Sequence, residues 1–204
     1  AVRSRLGAAK TRGATASIGD VWDAERWDTE LAADLLALAL SAAAAVSKAV
    51  LSALGLDPEG YDEPRTVAFQ QAVAARVAGS VNAVTRARLV DALDADDPAA
   101  AVANVFEVAE SARAAEVART SVTAASGFAT QEAAKQTGRR ATKTWLVTST
   151  NPRPTHAVMN EQTVELEAKF SNGAEWPADA ALDIDEVAGC QCELEITVED
   201  DDED

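Results

Sequence analysis

The chain is short of aromatic side chains, with four Trp, four Phe and one Tyr in 204 residues, and it holds only two Cys and one His. A chain of this length can bury a core that need not be stapled by disulfides, and any site built on imidazole or thiol chemistry must use His156, Cys190 and Cys192. Basic residues are scarce too, 18 against 34 acidic, for a formal net charge of −16. That balance disfavours a protein that coats DNA or an anionic membrane through charge alone. Long apolar runs are missing: the stretch from Leu35 to Ser47, closed by Asp34 and Lys48, is too short to span a bilayer, so no transmembrane helix is expected. The first residues show no signal-peptide pattern and no initiator Met, so Ala1 reads as an internal or processed start. No GxGxxG, P-loop or HExxH motif is present.

Alanine is what the chain has in abundance. Of 47 Ala, 40 precede Thr144, which favours helix over residues 1–143. Charge divides at the same place: residues 1–143 hold 16 basic and 18 acidic groups, residues 144–204 hold 2 and 16. In the first part, Asp28 or Thr29 can cap a helix carrying Leu31, Leu35, Leu38, Val46, Val50 and Leu54 and ending at Gly55. A second helix opens at Pro64 and runs to about Asp96 with Val73, Val77, Val81 and Val84 at helical spacing. A third begins at Pro98 and persists past Gly127 to Gly138. Their apolar faces are thin, so each helix needs the others or a partner protein.

After Gly138 the texture is that of half-buried strands: Trp145 to Thr148, Thr163 to Glu167, and Cys190 to Val198. Asn172-Gly173 and Trp176-Pro177 read as turns, and Glu199 to Asp204 as a solvated acidic tail. The expected fold class is α+β, with long Ala-rich N-terminal helices followed by a small antiparallel β domain. The expected division is a helical docking arm over 1–109, a second domain over 110–198 and the tail over 199–204.

If Cys190 and Cys192 lie on a strand, period-two alternation points both sulfurs to one face. A loop carrying His156 over that face would bring three zinc-type ligands together, with the fourth from a carboxylate, water or another chain. The alternatives are two small buried thiols with His156 bonded to its own turn, a strained disulfide, or a Cys nucleophile with His156 as base. The basic residues fall at Arg3, Arg5, Lys10 and Arg12, at Arg86 and Arg88, and at Lys135, Arg139, Arg140 and Lys143. The last group reads as a helix C-terminus favoured by cations, or as a small phosphate-facing patch.

One ordered set of short motifs runs through the second part: Ala118-Arg119-Thr120-Ser121, Trp145-Leu146-Val147-Thr148, Asn151-Pro152-Arg153-Pro154-Thr155-His156, Asn160-Glu161-Gln162-Thr163-Val164, Phe170, Trp176-Pro177-Ala178-Asp179 and Cys190-Gln191-Cys192. The set resembles the C-terminal domain of the phage Mu F-like minor head proteins of tailed viruses, over about residues 110–198. Glu161 stands where that family usually has Gly, and Gly189 and Gln191 where it has Asn and Arg. The resemblance implies a virion protein without established catalysis, present in few copies inside the capsid near the portal vertex and in the host cytoplasm during assembly. It would assist head assembly, genome packaging or DNA ejection. Its implied partners are portal and capsid proteins, with packaged double-stranded DNA as a further candidate and no membrane. By carry-over, Arg119, Thr120, Trp145, Arg153, His156, Phe170, Pro177, Asp179, Cys190 and Cys192 are the motif positions. No cofactor is implied; zinc on His156, Cys190 and Cys192 is the one candidate, and a metal-dependent, nuclease-like enzyme using those residues is the alternative function.

Overall fold

The structure is a computed structural model that describes residues 17–199. Arg3, Arg5, Lys10, Arg12 and Asp200 to Asp204 lie outside the described residues. The fold is α+β. A short helix α1 (Ile18–Val21) leads into α2 (Ala24–Ala53), then a 3₁₀ turn (Pro58–Gly60), α3 (Pro64–Leu93) and α4 (Pro98–Val108). A π-helical turn (Ala109–Arg113) connects α4 to α5 (Ala114–Gln136). Beyond it lie β1 (Ala141–Leu146), α6 (Pro154–Ala157), β2 (Thr163–Glu165), α7 (Ile184–Val187) and β3 (Glu193–Val198).

Local chemistry sets these limits. Helix α2 starts earlier than Asp28 or Thr29, because the Asp23 carboxylate accepts the Arg26 N–H at 3.2 Å and so serves as the cap. Pro64 and Pro98 occupy first-turn positions where no N–H is needed, and Asp97 caps α4 by accepting from Ala100 N. Gly55 and Gly138, at φ of 73° and 68°, take the left-handed conformation that ends a helix. Helix α2 bears on the membrane expectation without settling it. Its 30 residues contain a window of mean hydropathy 1.9, long and apolar enough to cross a bilayer by length and composition, of which 28% is buried within the chain. Ala on the exposed positions raises the hydropathy, and core helices of soluble proteins pass the same test.

The chain forms two compact units, each drawn from two stretches of sequence. Among the described residues, one comprises those up to Leu35 and Ala72–Ala115; the other comprises Leu36–Gln71 and those from Glu116 onward. In the first, Trp22, Leu89, Ala92 and Val102 make a core to which Trp27 and Phe106 add rings. Trp22 and Trp27 stack at 5.3 Å, and Trp27 meets Phe106 at 6.5 Å. Asn82 Nδ2 donates to Asp28 Oδ1 at 2.8 Å, and the Arg113 guanidinium donates to Thr85 Oγ1 and Val81 O.

The second unit holds the sheet, in the order β2-β1-β3 with both pairs antiparallel. Ala141, Lys143 and Trp145 of β1 form the buried face, opposite Val198, Ile196 and Leu194 of β3. Ala134 of α5 packs with Ala141 and Leu166 where that face ends. Alanines 125, 129, 133 and 134 of α5 are fully buried, so the small side chains let the helix sit close to its neighbours. Phe69 stacks on Phe128 at 4.0 Å, and Trp176 meets both edge-on.

A buried histidine and two cysteines as the candidate site

Trp145 ends the buried face of β1, and His156 and Phe170 meet it edge-on at 5.6 and 5.2 Å. His156 reaches it from α6, a single turn opened by Pro154. Cys190 and Cys192 do not lie on a strand as expected: they precede β3, which starts at Glu193. They converge all the same, because the loop before β3 is tied down at each step. Gly189 has φ of 68° and donates its N–H to Thr120 Oγ1 at 2.8 Å. Thr123 Oγ1 donates to Cys190 O at 2.8 Å, and Thr148 Oγ1 donates to Gln191 O. The Arg153 guanidinium grips two carbonyls of the same segment, Asp185 O and Ala188 O.

The result places His156 Nδ1 3.3 Å from Cys192 Sγ and 3.7 Å from Cys190 Sγ. One ligand atom from each of the three residues lies within 4.8 Å of the others, and all three side chains are buried. The far nitrogen, His156 Nε2, is buried without a hydrogen bond and faces Glu186 Oε2 at 3.5 Å, an oxygen that also accepts from Thr155 Oγ1. Burial pushes the imidazole below its ordinary pKa, the Arg153 charge adds to the fall, and Glu186 opposes it. The hydrogen bond from Cys192 lowers Cys190 to about 7 against the effect of burial, while the same bond and burial raise Cys192. Both cysteines are free thiols.

The remaining motif residues fall into three groups. Phe170 and Trp145 share the core with the cysteines. Pro177 is fully buried, and Asp179 closes its turn by accepting from Glu175 N at 2.8 Å and Ala181 N at 2.9 Å. Arg153 is a structural hydrogen-bond donor. Arg119 is not: it is exposed on α5 and has no hydrogen bond or ion pair among the described residues.

The phosphate-facing patch does not form. Lys135 pairs with Glu167 at 2.8 Å, Arg140 with Glu199 at 3.6 Å, and Arg139 donates to Glu199 O. Glu199, expected to begin the solvated tail, is therefore held by the sheet edge, its N–H also donating to Arg140 O. Lys143 is buried, with Nζ donating to Gln131 Oε1 at 2.7 Å and Glu175 O at 2.9 Å and lying 5.4 Å from the Phe170 ring centre. Burial pulls its pKa down to about 8. Its charge groups Lys143 with Lys135, Arg139 and Arg140, although alternation back from Trp145 assigns it to the inner face. A cleft of about 180 Å³ beside Arg65, Phe69, Phe128 and Trp176 is smaller than ordinary ligand pockets, and its Arg65 and Glu132 pair at 3.6 Å.

Comparison with family models, curated proteins and solved structures gives no match to this chain.

Proposed function

We propose that the chain is a structural minor head protein of a tailed virus, acting by protein–protein contact near the portal inside the capsid and assisting head assembly, genome packaging or DNA ejection. One observation carries the reading. Motif residues scattered from Thr120 to Cys192 meet around one buried centre: Thr120 holds Gly189, Arg153 holds Asp185 and Ala188, and Trp145 and Phe170 line the core with both cysteines. All of these contacts pack the core or anchor a loop, which supports a domain that acts by contact rather than by chemistry.

The departures from the family pattern support the same reading. Glu161 and Gly189 have φ of 63° and 68°. Gly and Asn are the residues that tolerate this left-handed backbone, so two of the three exchanges fall where conformation selects the residue. Val158 and Ile184, 80% and 70% exposed, are apolar side chains suited to docking on a portal or capsid protein.

Quantitative mass spectrometry of virus particles from the source organism tests the proposal. A few copies per particle are expected, whereas absence from particles overturns it. In a binding assay with purified portal protein, Val158→Asp and Ile184→Asp should weaken association without shifting the unfolding midpoint. The competing enzyme reading has the His-Cys-Cys cluster in its favour. Its three side chains are only 2–5% exposed, which gives a phosphodiester no approach.

A further inference from the structure

The geometry points to a structural zinc site in which His156 Nδ1, Cys190 Sγ and Cys192 Sγ hold one ion and a water molecule completes the tetrahedron. Zinc–sulfur and zinc–nitrogen bonds of about 2.3 and ~2.05 Å at the tetrahedral angle set a sulfur-to-nitrogen edge of roughly 3.6 Å. The two sulfur-to-nitrogen edges here are 3.3 and 3.7 Å, each within a few tenths of an ångström of that value, and the two sulfurs lie within 4.8 Å of each other.

Two further features fit a metal. First, Nε2 of His156 is a buried nitrogen lacking a hydrogen bond, with the Glu186 carboxylate 3.5 Å away. A ligating histidine commonly gives its other N–H to a carboxylate, which fixes the tautomer that frees Nδ1 for the ion. Thr155 Oγ1 holds that carboxylate oxygen at 2.9 Å. Second, the ligand loop is preorganised by contacts that do not involve the ligand atoms: Thr120 to Gly189 N, Thr123 to Cys190 O and Thr148 to Gln191 O. The burial of all three ligands assigns the ion a stapling role, fastening α6 to the loop before β3. The inference does not rest on the virion reading, since its readout is metal content.

The test uses the full chain, reconstituted with excess zinc chloride under reducing conditions and passed through gel filtration. Native mass spectrometry should find one zinc per chain, with none in Cys192→Ser or His156→Ala. Glu186→Gln should retain the site but bind roughly 10- to 100-fold more weakly in competition with a chromophoric chelator. Because the ligand variants could fail to fold, the unsubstituted chain is also titrated with cobalt(II). A sulfur-to-cobalt charge-transfer band with tetrahedral d–d absorption is expected. A chain that binds no zinc and gives no such band, or whose two thiols react equally fast with and without zinc, overturns the proposal.

Discussion

Gly127 of α5 lies directly beneath Trp176: a Cβ at position 127 would stand 2.9 Å from Trp176 Cβ and 3.0 Å from its Cδ1. Trp176 in turn is fixed edge-on against Phe69 and Phe128, at 5.6 and 5.4 Å, and cannot retreat freely. Gly127→Ala should therefore destabilise the protein by about 1–3 kcal/mol, even though alanine in an open helix would contribute about 1 kcal/mol of propensity. Urea unfolding followed by tryptophan fluorescence decides the sign. A rise in the midpoint would show that the close approach is absent.

Lys143 gives stability a pH dependence of predictable sign. Its folded pKa, about 8, lies below the unfolded value near 10.4, so between these the unfolded chain binds more protons and stability rises with pH. Below about pH 8 both states are protonated and the burial penalty is present in full. Relative to Lys143→Met, the unsubstituted chain should gain about 1–2 kcal/mol between pH 7.5 and 9.5, read from paired denaturant curves. The comparison between the two chains removes the other groups that titrate in that window.

Position 161 should accept glycine with a gain. Glu161 is in the left-handed region at φ of 63°, and its N–H donates to Trp145 O, a bond that does not need the side chain. Glu161→Gly should stabilise by about 0.5–1 kcal/mol, the relief of strain exceeding the added freedom of the unfolded chain. The reverse exchange at Gly189, with φ of 68°, should cost about 1 kcal/mol or more. A Cβ there would meet Glu116 Oε1 only at 3.8 Å, so the loss comes from backbone strain. Thermal unfolding of Glu161→Gly and Gly189→Ala, measured together, checks the opposite signs.

Arg153→Lys should behave as a severe change. The planar guanidinium serves Asp185 O and Ala188 O at once, and an ammonium on a flexible stem does not reproduce that fork. A loss of about 1–3 kcal/mol is expected, with faster hydrogen exchange over residues 183–192. Unchanged exchange in that segment would show that the arginine does not anchor it.

Much of this fold is legible in the sequence because its punctuation is strong. Pro64, Pro98 and Gly138 mark helix limits that the structure keeps within a few residues. The start of α2 was harder to read, because Asp23, Asp28 and Thr29 are all competent caps and only the Asp23 contact with Arg26 N decides between them. The π turn at Ala109–Arg113 leaves no mark in an alanine-rich stretch. At the site, the sequence offers the meeting of His156 with both cysteines as one reading among several, and by a different route from the one the structure takes. It depends on the Thr120, Thr123 and Arg153 anchors of a loop rather than on strand alternation, and contacts spanning 67 and 69 residues have no local signature. Lys143 reads as one of a group of cations because its charge hides the period-two register that Trp145 sets.

The sheet ends on one side at β3, which presents Glu193 and Glu195 on its exposed face. A free strand edge is a template for adding another strand, and rows of like charge are a common guard against it. Here that guard is made of carboxylates. As pH falls toward the pI of about 4.4, the net charge and with it the repulsion between copies falls, while the outer edge of β3 pairs with no other strand among the described residues, so the purified chain should self-associate through its sheets in mild acid and return to solution on neutralisation.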